Sequence, residues 1–257
     1  MTENTTTTNV IAYDAFARIM NDDWGVASAE IYFPSIEELL RKNNFTNQSS
    51  ILDIFCGAGH LVQKLQDQGY QVAGLDSSPE LLNYARNRSP QSKFILEDAC
   101  HFKLPDSFDV VISTAFGFNH ITQLEDLTLA FKNVYDSLKT DGLFAFDIRL
   151  NKLYKGGWNR SIIGDVNDEY AWTMIRLYNQ KTRIGENHFT IFEPVDNGWE
   201  RSKDLKWIAK GYEIQEIVSS LKNAKFSEIN CKERKKKKKW FTKAKKEGIY
   251  DFVARKR

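Results

Sequence analysis

Between residues 50 and 150 short apolar segments alternate with amphipathic ones, and this alternation constrains the fold more than any other feature of the chain. ILDIF (51–55), QVAGLD (71–76), KFILED (93–98), FDVVIST (108–114) and GLFAFDI (142–148) are short and apolar enough for strands buried on both faces. HLVQKLQDQ, SSPELLNYAR and LEDLTLAFKNVYDSL fall between them and carry the helical period; Leu61, Val62 and Leu65 share one face. Such a series specifies an α/β, doubly wound parallel sheet with helices on both sides and right-handed crossovers. SEINCKER (227–234) and IYDFVARKR (249–257) add a final strand pair, giving seven strands, mostly parallel, with the last antiparallel.

The rest of the chain sorts around this core. Residues 1–48 predict helices covering the active site, one over 10–20 and a second starting after Pro34 with Ser35 as its cap. Residues 156–208 are rich in Trp, Tyr and Phe: YAWTMIRLY, NHFTIFEP and ERSKDLKWIA read as an inserted antiparallel β meander, a lid over the acceptor. The core is then 49–155 plus 209–257. No run reaches the roughly 20 apolar residues of a membrane span. The first ten residues, MTENTTTTNV, lack the apolar core of a secretory signal. Cys56, Cys100 and Cys231 show no C-x-x-C spacing, which argues against a metal site or a disulfide framework and for a reducing, cytoplasmic setting. A net charge of +2 over 257 residues does not by itself call for a polyanionic partner.

The first strand runs into Cys56-Gly57-Ala58-Gly59, and a helix begins at once. Glycines there let backbone approach a ligand and aim the helix N-terminus at it. Asp76 closes the second strand 23 residues after Asp53 (76 − 53), where a carboxylate can hold both hydroxyls of a ribose. A pyrophosphate cradle needs a third glycine three positions after Gly59, and that position is Val62. The site therefore suits a nucleoside with an amino-acid tail better than a dinucleotide, with an NAD-linked enzyme as an alternative.

The stretches D-I-F-C-G-A-G-H, G-L-D-S-S-P-E-L-L and L-E-D-A resemble the class I methyltransferases that use S-adenosylmethionine, over roughly residues 50–150. The resemblance implies a Rossmann-like fold. It implies that Asp53, Gly57 and Gly59 surround the methionine portion of the donor, that Asp76 holds the ribose and that Ser77 lies beside the adenosine. Asp98 and Ala99 would meet the adenine, and Thr114 would begin the loop beneath the reacting centre. Cys56 stands where many relatives carry glycine.

Methyl transfer from a sulfonium is an in-line displacement, in which alignment can contribute about 7–11 kcal/mol and a base about 100- to 10,000-fold in rate. STAFGFNHI follows the fourth strand and offers His120 as a base or acceptor-orienting group, with Phe116 and Asn119 as substrate contacts; a loop histidine with a satisfied hydrogen bond is the plainer reading. Y-D-x-F-A-x-x-M at 13–20 resembles small-molecule N-methyltransferases, including those acting on amino sugars, where a tyrosine of an N-terminal helix and a histidine after the fourth strand flank the reacting atoms. Tyr13 and His120 match those places; simple helix packing explains Tyr13 equally well. Asp147 could meet a cationic acceptor or cap a helix. Arg176 and Arg201 could touch substrate, although an aromatic insertion needs packing residues. A small-molecule acceptor, most readily an amine, is the expectation.

A different function rests on Lys235 to Lys239. Six consecutive cations, Arg234 through Lys239, beside Trp240 and Phe241 suit nucleic acid, so an RNA or other nucleic-acid methyltransferase is the alternative. Base methylation commonly uses an N-P-P-Y type segment after the fourth strand, and here those positions read S-T-A-F. A protein that binds S-adenosylmethionine without transferring methyl, or transfers another part of it, is a further alternative.

Overall fold

The computed structural model describes residues 5–234 and 248–257. The lysine tract, Lys235 to Lys239, lies outside the described residues. The N-terminal arm is helical: α1 (Thr5–Ala15), a single turn α2 (Ala17–Ile19), a π-helical turn (Met20–Trp24) and α3 (Gly25–Lys42). The core then alternates β1 (Ser50–Ile54), α4 (His60–Asp67), β2 (Gln71–Asp76), α5 (Pro79–Arg88), β3 (Lys93–Leu96), β4 (Phe108–Ser113), α6 (Leu124–Ser137) and β5 (Leu138–Arg149). A turn, α7 (Asn151–Leu153), leads to the four strands of the insertion: β6 (Ile162–Val166), β7 (Ala171–Asn179), β8 (Ile184–Val195) and β9 (Gly198–Lys210). The chain returns through α8 (Ile214–Asn223) to β10 (Ser227–Glu233) and β11 (Ile249–Arg255).

The seven-stranded sheet has the order β10-β11-β5-β4-β1-β2-β3, with β11 antiparallel to both neighbours. β1 lies between β2 and β4, so the strand order reverses at its carboxyl end. A crevice opens at such a point in a doubly wound sheet. One face of the sheet is buried by α6 and α8 around a block of phenylalanines, the other by α3, α4 and α5. β6-β7-β8-β9 form a separate antiparallel sheet, one strand more than the aromatic segments predicted, because β6 (IIGDV) is mostly exposed and short of aromatics.

Two local expectations are corrected. Pro34 does not precede a helix; it sits inside α3. Proline removes one internal hydrogen bond, but Ala29, Tyr32, Ile36 and Leu40 bury a face on both sides of it, so packing carries the helix through. Ser35 caps nothing and instead donates from Oγ to the Tyr32 carbonyl at 2.8 Å. Cys56, the departure from glycine, is buried with its sulfur against Gly74 of β2, where a Cβ would come within 2.7 Å of that sulfur. The missing volume at position 74 accommodates the extra volume at 56. Among the described residues, no helix is long and apolar enough to cross a membrane.

Candidate active site

A cavity of about 670 Å³ opens over the carboxyl ends of β1, β2 and β4, a volume suited to a nucleoside-sized ligand. Its walls include Gly57, Asp76, Ser77, Asp98, Ala99, Thr114, Tyr13 and His120. Segments from five parts of the chain thus reach one space.

The floor is made by backbone. Gly57 has φ +55 and nothing within 4 Å of a would-be Cβ, so the turn is open on the cavity side. Gly59, at φ +77, does not line the cavity: a Cβ there would meet the Cβ of Ala85 at 2.9 Å. Its smallness lets α4 and α5 approach, which is a packing duty rather than the donor contact expected of it. The Asp76 carboxylate accepts from Gly57 N at 2.9 Å and from Ser78 N at 3.0 Å. Burial raises its pKa, while those amides act in the opposite direction. Asp53 is 2% exposed and is absent from the cavity wall; burial and the nearby Asp76 charge push its carboxyl well above the usual range. A buried carboxyl, Asp76, at the wall of a backbone-lined cavity favours a ligand with hydroxyl donors and positive charge. S-adenosylmethionine carries both, so the residues present fit it.

The roof is α1. Asn9 Oδ1 accepts from Ile208 N at 2.7 Å, and its Nδ2 donates to the Ile208 carbonyl at 3.2 Å. Asp14 accepts from Ser78 Oγ at 2.5 Å, tying the helix to the start of α5. Between them Tyr13 stacks on Trp207 (centroids 4.8 Å apart, planes 7° off parallel), and its Oη lies 2.7 Å from His120 Nε2. His120 Nδ1 lies 2.9 Å from the Ile208 carbonyl, which can only accept. The Nδ1–H tautomer follows, and Tyr13 is then the donor to Nε2. Burial, opposed by the Ile208 bond and reinforced by Arg149, lowers the His120 pKa to about 4. Tyr13 is raised, by burial first and then by Asp76. Both are neutral near pH 7.

The loop carrying His120 is held under strain. Ala115 and Phe116 adopt left-handed backbone at φ 60 and 72, a conformation costing roughly 1–2 kcal/mol for a residue with a Cβ. Phe118 compensates by burying fully, its ring 5.1–5.7 Å from those of Phe55, Phe131, Phe144 and Phe146.

Several expected substrate residues do other work. Asp147 does not line the cavity; it accepts from Phe116 N at 2.8 Å and Tyr32 Oη at 2.5 Å and pairs with Arg234 Nη2 at 3.1 Å, so the cation it meets belongs to the protein. Asn119 is a strap: Nδ2 donates to the carbonyls of Arg149 and Lys210, and Oδ1 accepts from Arg149 N. Phe116 lies under the Arg149 guanidinium, 3.9 Å from its centroid. Arg201 is exposed on β9. Arg176, on β7, is half-buried over Trp158. Of the insertion aromatics, Trp172 and Trp207 pack with Phe16 and Trp24, Tyr178 packs on Tyr154, and Trp199 is exposed.

Sequence reasoning missed Asn9, Asp14 and Arg149. Asn9 precedes Tyr13 by one helical turn, so spacing alone put it on the same face; nothing in the sequence indicated that β9 would supply its partner.

A switch-point crevice with an open glycine turn on one strand and an acidic residue closing the next marks a nucleoside-binding protein of Rossmann-like architecture. Residues 51–142 match the family model described as methyltransferase domain. A putative methyltransferase of Geobacillus sp. is 25% identical over 84% of this chain and 90% of its own length. The dTDP-3-amino-3,4,6-trideoxy-alpha-D-glucopyranose N,N-dimethyltransferase of Streptomyces venezuelae is 25% identical over 71% of this chain and 75% of its own. In fold, the chain is similar to an S-adenosylmethionine-dependent methyltransferase from Clostridium acetobutylicum, with a TM-score of 0.76, 20% identity, and coverage of 95% and 98% of the two chains. Residues 51–142 are thus a methyltransferase domain, and in fold the whole chain is similar to S-adenosylmethionine-dependent methyltransferases. It is an enzyme, and S-adenosylmethionine is its methyl donor.

Proposed function

We propose that the protein methylates the nitrogen of a small-molecule amine, with Tyr13 and His120 as the groups that meet the acceptor. The observation carrying this reading is the 2.7 Å contact between Tyr13 Oη and His120 Nε2 at the wall of the donor cavity. Amino-sugar N-methyltransferases among the relatives support the amine as acceptor class.

When bound, S-adenosylmethionine supplies an electrophilic methyl on a sulfonium. Asp76 would accept hydrogen bonds from its ribose, Asp98 and Ala99 would meet the adenine with Ser77 beside it, and Gly57 would face the amino-acid tail, with Asp53 buried behind that turn. Gly59 serves this arrangement by packing α4 on α5, and Thr114 opens the loop that leads to His120. The helices of 1–48 and the insertion 156–208 act as two covers on the core.

Because Tyr13 donates to His120, its remaining lone pairs are free to accept an N–H from the incoming amine. That bond orients the nitrogen lone pair toward the methyl group. As the new C–N bond forms and the C–S bond breaks, the nitrogen becomes acidic. Its proton can pass to Tyr13 Oη while the Tyr13 proton moves to His120 Nε2. A histidine with pKa about 4 holds that proton only weakly, so the pair returns to its neutral state as product leaves. A base this weak contributes at the low end of the usual range, and orientation carries the larger share.

The test is steady-state kinetics of Tyr13→Phe and His120→Ala on an amine acceptor found by screening metabolite pools with labelled donor. Turnover should fall while affinity for S-adenosylhomocysteine stays within twofold. Wild-type turnover in both variants would remove the pair from the mechanism, and a methylated hydroxyl or nucleic acid in the screen would replace the amine.

A further inference from the structure

Seven buried side-chain nitrogen or oxygen atoms lack a hydrogen-bond partner among the described residues, and four of them lie in the short segment from Tyr154 to Arg176. They are Tyr154 Oη, Trp158 Nε1, Trp172 Nε1 and Arg176 Nε; Trp172 packs apart, against Phe16 and Trp24, while Tyr154, Trp158 and Arg176 are neighbours. Buried polar atoms are normally satisfied, and a cluster of exceptions needs a cause. Three of the four are donors by necessity and the fourth, a phenol, can be one. The cluster is therefore short of an acceptor.

Charge points the same way. No carboxylate among the described residues pairs with Arg176 or with Arg149; their guanidiniums lie over the rings of Trp158 and Phe116, and Arg149 also reaches the Tyr154 hydroxyl, in a contact too poorly aligned to satisfy it. The two cations are close enough to feel each other: Arg176 is pushed down to about 10, by burial first and by Arg149 second. The guanidinium of Arg149 sits 3.9 Å from the ring centroid of Phe116, and the residues on either side of Phe116, Ala115 and Gly117, line the cavity, so the group lies behind the wall that carries His120. Two partly desolvated like charges without a counterion are costly unless an anion joins them, and the planar guanidinium fork suits carboxylate or phosphate.

We propose that Arg149 and Arg176, with Tyr154 and Trp158, form an anion subsite of the acceptor pocket, so that the methylated amine also carries a carboxylate or a phosphate. This rests on the amine-methylating reading above. The anion would anchor the far end of the acceptor and leave its nitrogen near Tyr13. The orphan atoms are closed to water, so the insertion must lift from the core to admit the molecule.

The test needs no turnover, which separates its failure from failure of the amine assignment. Titration calorimetry on the full chain saturated with S-adenosylhomocysteine uses two probes without a reactive amine, inorganic phosphate and N-acetylglycine. Binding of at least one is expected. Arg176→Gln should weaken it tenfold or more, and Arg149→Lys, which keeps the charge and loses the fork, should weaken it severalfold. S-adenosylhomocysteine affinity should hold within twofold in each, which also shows that the variants fold. A preference for phosphate assigns a phosphorylated acceptor, and a preference for N-acetylglycine a carboxylated one. If neither probe binds, or if both variants bind as well as wild type, the subsite does not exist.

Discussion

The donor half of the cavity and the half we assign to the acceptor are built by opposite means. The donor half is backbone and strand ends: the Gly57 turn, and Asp76 held by two main-chain amides. The acceptor half is side chains borrowed from distant segments: Tyr13 from α1, His120 from the loop after β4, and the Ile208 carbonyl from β9. A backbone site is written into consecutive residues, so a short motif announces it. A site of converging side chains exists only after the insertion has docked. Evolution can therefore vary the second without touching the first, which suits a fold that hosts many acceptors.

Asp76→Ala breaks the donor half outright. Hydrogen bonds to a charged group contribute about 1.5–3 kcal/mol each, so losing two should weaken S-adenosylhomocysteine binding by roughly 100-fold or more, measured by calorimetry. If affinity falls less than tenfold, the donor half does not depend on that carboxylate. The acceptor half should answer to pH instead. His120 has pKa about 4 folded against 6.5 for the free group, a gap of about 3 kcal/mol. The unfolded chain takes up a proton near 6.5 and the native state does not. That stability is fully present above pH 6.5, drains away as pH falls toward 4 and changes no further below it. The raised carboxyls Asp53, Asp76 and Asp147 oppose this trend, so the readout is the difference between wild type and His120→Gln in urea unfolding. Wild type should lose about 2–3 kcal/mol relative to the variant across that window; parallel curves would show that His120 is not held neutral.

Gly59→Ala sharpens the comparison within the donor half. A left-handed φ and a 2.9 Å clash with Ala85 should cost about 2–3 kcal/mol of stability, with little change in donor affinity of the folded fraction. The reverse pattern would return Gly59 to the cavity wall. The smallest effect belongs to Tyr13→Phe, which leaves the ring on Trp207 and removes only the hydroxyl: turnover should drop about tenfold, or 1.4 kcal/mol, with thermal stability nearly unchanged.

What could be read in advance follows the same division. The five core strands, the final pair, Asp76 and the glycine turn were legible because each depends on local period and spacing. Pro34 misled because a buried face overrode a local breaker. The inserted sheet was legible as strands but not as partners: Arg176 and Arg201 differ by which face of a twisted ribbon they occupy, and one residue of register exchanges the faces. Asp147 and Asn119 sit where ligand contacts were expected, yet their partners are main-chain groups that no side-chain pattern reveals. In the strained turn the left-handed residues are Ala115 and Phe116, while the glycine, Gly117, comes after them, so the sequence marked the wrong position.

Asn9 and Ile208 are 199 residues apart, and their paired hydrogen bonds are what seat the roof. During synthesis the first helix leaves the ribosome long before its anchor is made. For most of translation it has an apolar face and no place to put it. The core can collapse on local contacts by then, but the enclosure of the donor waits for the last fifth of the polypeptide. A nascent chain arrested before that point would hold a formed sheet with a gaping crevice, and only the finished molecule can shut water out.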